Sequence, residues 1–308
     1  MSKIAFVFPG QGSQSVGMGR ELSQNFKIGE AIFERANAAL GFDLKKTCLE
    51  GPEDELKKTA ITQPALFTVS SIAFEVLREK GIRAQAFAGH SLGEYSALYA
   101  AGAISFEDGV AIVNMRGKFM QDAVPEGRGS MAAIMGLPLD KIIEICKSTG
   151  AEAANINSPT QVVISGEKAA VVKASSLCKE AGAKRVIELK VSAPFHSSLM
   201  KPAQDRLARE LEEIEIKDIS TPVVSNVTAE YVTEGKKIRE LLIRQVTSPV
   251  LWSQSIQKMA QDQFTTFIEV GPKRVLGGLI KTIASSVNIY NVEDMASLEA
   301  ALKEAGVA

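Results

Sequence analysis

Ser91 lies in the segment Gly-His-Ser-Leu-Gly-Glu, residues 89–94. A serine with glycine two residues before it and two residues after it has the pattern of a nucleophile elbow, a sharp turn between a strand and a helix that exposes the hydroxyl. An apolar stretch, residues 84–88, precedes the motif, and a helix-favouring stretch, residues 94–101, follows it. The sequence therefore predicts a nucleophilic Ser91 at the C-terminal edge of a sheet.

Ser91 needs a general base, because a serine hydroxyl attacks only when a nearby group accepts its proton. The chain has two histidines, His90 and His196. The side chain of His90 diverges from that of Ser91 at a tight turn, so we expect His90 to have a supporting role. We predict that His196 is the general base and then the general acid. In an ordinary α/β-hydrolase the catalytic histidine lies late in the chain, and the acidic residue that orients it lies between the serine and the histidine. The position of His196 fits that plan poorly, so a backbone carbonyl could instead orient His196 in a Ser-His dyad.

An oxyanion hole is expected from two backbone N–H groups. One should belong to Leu92, the residue after the nucleophile. The second is expected from the glycine-rich loop at residues 9–14, with Gln11 as the best candidate. This loop lacks the Gly-Lys-Ser/Thr ending of a P-loop and the third glycine of a dinucleotide fingerprint, so it predicts no nucleotide site.

Arg116 is the informative cation. Its neighbours three and four residues away on a predicted helix are all apolar: Ile112, Val113, Phe119 and Met120. An unpaired guanidinium on such a face is costly. Two explanations remain open, an internal ion pair with an acidic residue and bidentate binding of a substrate carboxylate.

The elements that must position these residues alternate along the chain, which predicts a parallel sheet with helices on both faces. Strands are predicted at residues 4–8, 84–88, 222–225, 265–270 and 287–290. Helices are predicted at residues 18–40, 62–80, 105–122, 197–213, 235–246, 252–262, 275–285 and 294–305. In the second of these, Thr62 is the expected cap and Pro64 lies in the first turn.

Residues 130–189 have a different pattern, with elements in the order β-α-β-β-α-β. This order is typical of a ferredoxin-like unit. We predict an α/β-hydrolase-like large domain, residues 1–126 and 193–308, with an inserted ferredoxin-like subdomain, residues 127–192. The cleft between the two is the expected ligand site.

Composition narrows the function classes. The chain has 308 residues and a net charge of -1, so no overall field attracts nucleic acid or a membrane surface. Its three cysteines are far apart and lack C-x-x-C spacing, which fits a reducing compartment and excludes a cysteine-based metal cluster. No stretch was expected to reach the length of a membrane span, and the N-terminus lacks signal-peptide features. We therefore expect a cytoplasmic protein.

The assembled motifs resemble those of the malonyl-CoA:acyl carrier protein transacylase family. The resemblance runs nearly end to end, through residues 8–14, 62–66, 89–94, 115–117, 157–166, 194–197, 225–229 and 269–272. It implies ping-pong transfer of a malonyl group from malonyl-CoA to the phosphopantetheine thiol of acyl carrier protein, through a malonyl-serine, in fatty acid biosynthesis. It implies no cofactor.

The resemblance also assigns roles residue by residue. Ser91 and His196 match the catalytic pair, Arg116 the residue that binds the malonyl carboxylate, and Gln11 an oxyanion-hole residue acting with Leu92. Gln245 matches the glutamine whose carbonyl orients the histidine. Further possible substrate contacts are Gln63, His90, Asn155, Asn157 and Phe195. Asn155 and Asn157 are alternatives for contact with pantetheine, and the bulk of Phe195 is a cue for malonyl selectivity.

Three other functions share some of these features. A thioesterase would use Ser91 and His196 but complete the turnover with water, and Arg116 argues against it. A stand-alone acyltransferase of a polyketide assembly line would share every motif. A non-catalytic carrier-binding protein would leave the catalytic pair idle. A monomer is the default expectation.

Overall fold

The structure is a computed structural model that describes residues 3–189 and 193–304. Its strands are β1 (Lys3–Phe8), β2 (Ala86–Gly89), β3 (Gly129–Met135), β4 (Glu152–Ser158), β5 (Gln161–Glu167), β6 (Arg185–Glu188), β7 (Val223–Val224), β8 (Tyr231–Val232), β9 (Phe264–Val270) and β10 (Asn288–Val292). Its helices are α1 (Arg20–Asn25), α2 (Lys27–Leu40), α3 (Leu44–Glu50), α4 (Glu53–Leu56), α5 (Thr59–Glu79), α6 (Gly93–Ala101), α7 (Phe106–Asp122), α8 (Leu139–Thr149), α9 (Lys168–Glu180), α10 (Lys201–Glu212), α11 (Gly235–Gln245), α12 (Trp252–Gln261), α13 (Val275–Ile283) and α14 (Met295–Glu304).

The larger sheet has six strands in the order β10-β9-β1-β2-β7-β8. The first five pair in parallel, as predicted, whereas the edge strand β8 is antiparallel to β7. Phe6 and Phe8 of β1 pack into one buried apolar cluster, and Ala5 and Val7 pack into another. Because successive side chains of a strand point to opposite faces, both faces of the sheet are covered. The two-residue strand β8 was not predicted, since so short a segment carries no periodicity.

Helix α5 begins at Thr59, three residues before the predicted cap Thr62. Pro64 therefore lies inside the helix, where it has no N–H to donate to the carbonyl of Ala60. Asn114 of α7 replaces this bond, because its Nδ2 donates to the Ala60 carbonyl at 2.8 Å. The predicted start of the helix was wrong because the hydrogen bond that compensates for Pro64 comes from a distant helix.

Other predicted elements agree with the structure to within a few residues, with three differences. The helical stretch 18–40 is interrupted at Phe26, which is extended. The helix predicted from residue 197 begins as a 3-10 turn, Ser198–Met200, followed by α10. Helices α3 and α4 were not predicted. The predicted domain boundary at residue 192 and the predicted helix end at residue 305 lie outside the described residues.

Helix α5 also corrects the expectation about membrane-length segments. It has 21 residues, and an 18-residue window of it has a mean hydropathy of 1.4. By length and composition alone it could span a membrane. However, 89% of that window is buried inside the fold, as is usual for the core helix of a globular domain.

The second sheet has four antiparallel strands in the order β4-β5-β3-β6. Ala132 and Ile134 of β3 pack beneath α8 and α9 in a separate apolar cluster. Met131 and Ala133, on the other face, join the cluster of the larger sheet. The chain enters and leaves this unit at adjacent points, since a Cβ added to Gly129 would lie 2.4 Å from the Pro194 ring.

Candidate active site

The turn around Ser91 has the geometry of a nucleophile elbow. Ser91 follows β2, precedes α6 and has a φ of 51°, in the left-handed region that non-glycine residues rarely adopt. A Cβ added to Gly89 would lie 1.9 Å from the backbone of Gly93, and one added to Gly93 would lie 2.1 Å from the Phe8 carbonyl oxygen. Both glycines are therefore required by the close approach of strand, turn and helix.

Asn226 holds the elbow in this strained conformation. Its Oδ1 accepts from the backbone N–H of Ser91 at 2.7 Å, and its Nδ2 donates to the carbonyl of Gly89 at 2.6 Å. Asn226 is completely buried. Sequence analysis gave it no role, although its place just after the short strand β7, which neighbours β2, was a usable signal.

His196 contacts the Ser91 hydroxyl directly. Its Nε2 lies 2.8 Å from Ser91 Oγ, and its Nδ1 lies 2.9 Å from the backbone carbonyl of Gln245. A carbonyl only accepts, so Nδ1 carries the proton and Nε2 presents its lone pair to the serine. Burial, together with the charge of Arg116, lowers the pKa of His196 to about 3. The imidazole is therefore neutral near pH 7 and able to accept a proton.

Arg116 projects from α7 into the same site and is only 1% exposed. Its Nη1 donates to Gln63 Oε1 at 2.8 Å, and its Nη2 donates to Ser91 Oγ at 3.1 Å and to Gln245 Oε1 at 3.0 Å. It forms no salt bridge with a carboxylate in residues 3–189 and 193–304, which removes the internal ion pair as an explanation. Burial lowers the pKa of Arg116, yet a guanidinium stays charged in proteins.

Two candidate oxyanion donors border the nucleophile. Gln11 and Leu92 line the same cavity as Ser91. Within the described part of the chain, the backbone N–H groups of Gln11 and Leu92 make no hydrogen bond, whereas the Gln11 side chain donates to Thr59 Oγ1 at 3.3 Å. Gly10 keeps this loop close to the elbow, because a Cβ there would lie 2.4 Å from the carbonyl oxygen of His90.

The active-site cavity has a volume of about 110 Å³. All the predicted site residues line it except Gln245 and Asn157. Sequence analysis missed three apolar lining residues: Met120, Met131 and Leu189. A second cavity, of about 480 Å³, lies between the two sheets and shares Gln11, His90, Asn155 and Leu189 with the first.

The two candidate asparagines differ in their partners. Asn157 Oδ1 lies 2.8 Å from Nε2 of His90, whose ring also packs against Trp252 at a centroid distance of 5.7 Å. Asn155 lines both cavities, and its Oδ1 is buried without a hydrogen-bond partner in the described residues. His90 is thus held in place by Asn157 and Trp252, whereas the Asn155 side chain forms part of both cavity walls.

In residues 3–189 and 193–304, no three His, Cys, Asp or Glu side chains come together in a group that could hold a metal ion. The three cysteines are free and buried, and burial raises the pKa of the Cys48, Cys146 and Cys178 thiols.

Comparison with known proteins gives consistent matches. Residues 5–302 match the family described as acyl transferase domain. A Haemophilus influenzae protein named malonyl CoA-acyl carrier protein transacylase is 49% identical over 306 residues, which cover 97% of this chain and 98% of that protein.

Solved structures agree with this similarity. An acyl carrier protein S-malonyltransferase from Vibrio cholerae has a TM-score of 0.96 and 44% identity, covering 97% of this chain and 100% of that one. A malonyl-transacylase in complex with a type II PKS acyl-carrier protein, PlMCAT:AntF, has a TM-score of 0.96 and 45% identity, covering 98% of this chain and 100% of that one.

Proposed function

Because the chain belongs to the acyl transferase family, we propose that it transfers a malonyl group from malonyl-CoA to the phosphopantetheine thiol of an acyl carrier protein in fatty acid biosynthesis. The observation that carries the substrate assignment is Arg116, a buried guanidinium whose hydrogen bonds go to neutral oxygens beside the nucleophile. Such a charge has a strong preference for an anionic partner.

A malonyl group fits this receptor by its size. One methylene separates its carboxylate from the thioester carbonyl, so the carboxylate receptor must lie close to the nucleophile. Arg116 donates to Ser91 Oγ in the free protein, at 3.1 Å. The substrate carboxylate would take up the guanidinium fork in a bidentate pair. An acetyl group offers no such partner.

In the first half-reaction, Ser91 Oγ attacks the thioester carbonyl carbon while its proton moves to Nε2 of His196. The backbone N–H groups of Leu92 and Gln11 would hold the oxyanion of the tetrahedral intermediate. The C–S bond then breaks, and His196 returns the proton to the departing coenzyme A sulfur. The product is a malonyl-serine.

The second half-reaction reverses these steps with a different thiol. The phosphopantetheine thiol gives its proton to His196 Nε2 and attacks the ester carbonyl of the malonyl-serine. The C–O bond to Ser91 breaks, and the serine oxygen recovers the proton from His196. The carbonyl of Gln245 keeps the imidazole in the required tautomer throughout.

The cavity between the sheets would hold the pantetheine arm of both substrates, and Asn155 offers its unpaired Oδ1 to an amide N–H of that arm. Phe195, which lines the inner cavity, would leave little room for a substituted malonyl group. Gln63 would act through Arg116, to which it is hydrogen-bonded.

We also propose a division of the chain into two domains. The six-stranded unit would be an α/β-hydrolase-like domain, residues 1–126 and 193–308, and residues 127–192 would be a ferredoxin-like insertion. The order β4-β5-β3-β6 and the adjacency of Gly129 and Pro194 support the insertion. The two thioesters suffice for the chemistry without a cofactor, and the proposal extends to a cytoplasmic monomer.

Two alternative functions use the same site. The complex PlMCAT:AntF contains a type II PKS carrier protein, so a polyketide context has a precedent among the similar structures. A thioesterase would release free malonate by admitting water to the acyl-serine. Arg116 has no use in a hydrolase of neutral esters, but it would serve a malonyl-specific thioesterase, so the fate of the acyl-serine must separate the two functions.

The test is to incubate the protein with malonyl-CoA and follow the Ser91 adduct by mass spectrometry. We expect a stoichiometric malonyl-serine that persists until holo-acyl carrier protein is added, which then becomes malonylated. Ser91→Ala should form no adduct. Rapid release of free malonate without a thiol acceptor would favour the thioesterase, and full transfer by Ser91→Ala would mean that the serine is not the nucleophile.

A further inference from the structure

Gln245 bonds to three residues of the proposed catalytic centre, His196, Arg116 and Ser91. Its backbone carbonyl accepts from His196 Nδ1, and its side-chain Oε1 accepts from Arg116 Nη2. Its Nε2 donates to the backbone carbonyl of Ser91 at 2.9 Å and to Glu94 Oε2 at 2.7 Å. The residue is completely buried at the end of α11. The direction of its amide therefore decides whether Arg116 meets an acceptor or a donor.

Glu94 and the Ser91 backbone carbonyl both favour that direction, and Glu94 is the one charged acceptor of the two. It lies on α6 just beyond the elbow, is 3% exposed, and accepts with the same oxygen from Gln245 Nε2 and from the backbone N–H of Asn226. If the amide of Gln245 were rotated by half a turn, its oxygen would face Glu94 and its NH₂ would face Arg116. Both contacts would then be repulsive, because acceptor would meet acceptor and donor would meet donor.

We propose that Glu94 is a positioning residue for the malonyl carboxylate receptor, acting through the Gln245 amide on Arg116. The inference rests on the function proposed above, in which Arg116 binds the carboxylate. The backbone N–H of Glu94 donates to the Ser91 carbonyl, but its carboxylate does not bond to the Ser91 hydroxyl and does not line the cavity, so the carboxylate would act through its neighbours.

The amide between the two charges also explains why Arg116 is left free for a substrate. Glu94 is close enough to favour the charged form of Arg116 electrostatically, yet the two form no salt bridge. Burial raises the pKa of Glu94 to about 7, while Gln245, Asn226 and Arg116 act in the opposite direction. A direct ion pair would neutralise the guanidinium, whereas the intervening amide supports it without occupying its donors.

The experiment compares malonyl and acetyl thioesters as donors in variants of the full chain. Glu94→Met keeps the volume but removes the acceptor, and we expect kcat/KM for malonyl to fall about tenfold or more relative to acetyl. Glu94→Gln still offers an oxygen to Gln245 and Asn226, so its ratio should stay within about threefold of the unsubstituted protein. Glu75→Met is the matched control, since Glu75 is 4% exposed but bonds to Tyr99, and it should leave the ratio unchanged.

Two further measurements show whether Glu94 acts through Gln245 and whether a variant has only lost stability. In a Gln245→Met background, Glu94→Met should change the ratio no further, because the residue through which it acts is gone. Thermal unfolding identifies variants that fail to fold, and Glu94→Asp, which withdraws the carboxylate by one methylene, then replaces Glu94→Met and should show a smaller change in the same direction.

Several outcomes would overturn the inference: equal losses for malonyl and acetyl in Glu94→Met, a ratio lowered as much in Glu94→Gln as in Glu94→Met, or an additive effect in the Gln245→Met background. These outcomes differ from failure of the proposed function. That failure would be seen in the unsubstituted protein, as transfer of malonyl no better than transfer of acetyl.

Discussion

A single cation separates this site from the many serine sites that attack uncharged esters. Ser91 and His196 are enough for nucleophilic attack on any acyl carbon. Arg116 adds a buried charge, 3.1 Å from the attacking oxygen, whose hydrogen bonds go to the neutral oxygens of Gln63, Gln245 and Ser91. Selectivity should therefore depend on Arg116 far more than reactivity does.

Arg116→Ala tests this separation. We expect kcat/KM for malonyl transfer to fall by about 10² or more, because truncating one partner of a buried charge pair costs about 2–5 kcal/mol. Acetyl transfer should be retained or improved, because an acetyl group has no carboxylate to pair. Arg206→Ala is a suitable control, since that half-exposed arginine lies over Phe119 of the same helix α7. Equal losses for both donors would mean that Arg116 is structural.

The buried imidazole predicts an unusual pH profile. Burial and the charge of Arg116 lower the pKa of His196 to about 3, so kcat/KM for acetyl transfer should stay nearly constant well below the usual histidine pKa of about 6.5. In Arg116→Ala one of these two causes is absent, and the acid limb should move to higher pH.

The control for this profile is Glu94→Gln, because burial raises the pKa of Glu94 to about 7 and its titration would otherwise overlap. The lowered pKa of His196 also makes the stability of the fold depend on pH. The unfolded chain binds the His196 proton more tightly, so this residue's contribution to folding is fully present above about pH 6.5 and is lost as the pH falls towards 3. An activity midpoint near pH 6.5 in the unsubstituted protein would contradict the assignment.

At the scale of elements, the packing of α5 against α7 positions Arg116, the proposed carboxylate receptor. Helix α5 carries Gln63 and α7 carries Arg116, and the two side chains bond to each other. The helices approach closely at Gly117, where an added Cβ would lie 2.6 Å from the Thr59 carbonyl oxygen. The bond from Asn114 to the Ala60 carbonyl, left free by Pro64, lies in the same interface.

Asn114→Ala should therefore destabilise the fold by about 1–3 kcal/mol, because it leaves the Ala60 carbonyl without its partner. Pro64→Ala supplies a backbone N–H that can bond to the same carbonyl, as in an ordinary helix. Asn114→Ala should then cost less in the Pro64→Ala background. Urea unfolding of the four proteins measures this difference, and strict additivity of the two substitutions would contradict the explanation.

Local patterns in the sequence predicted most elements but not their exceptions. The glycines around Ser91 were sufficient to predict the elbow. The alternation of strands and helices was sufficient to predict the order of elements along the chain in the larger unit. The start of α5 was not predictable from local rules, since its interior proline is tolerated only because Asn114 lies on another helix. The roles of Asn226 and of the Gln245 side chain likewise depend on contacts between segments far apart in the chain.

At the scale of the molecule, the site is completed by the meeting of two sheets. Gln11 follows β1, and His90 and Ser91 follow β2, at the C-terminal ends of central strands of the larger sheet. Asn155 and Asn157 come from β4 of the smaller sheet. The units are joined by main-chain bonds as well, because the N–H of Ile156 donates to the Val250 carbonyl at 2.9 Å and the N–H of Val250 donates to the Ala154 carbonyl at 2.8 Å. The cavity between them should therefore keep its shape without substrate.

The two asparagines allow this cleft to be tested with nearly identical substitutions. Asn155→Ala should raise KM for malonyl-CoA about tenfold with little change in kcat or thermal stability, because it removes an amide side chain from the walls of both cavities. Asn157→Ala should instead lower stability by about 1–3 kcal/mol, because it deprives the partly buried His90 Nε2 of its partner. A malonyl thioester of a simple alkyl thiol, which lacks the amides of pantetheine, should not distinguish Asn155→Ala from the unsubstituted protein. If KM rises in Asn157→Ala and not in Asn155→Ala, the pantetheine arm takes a different path through the cleft.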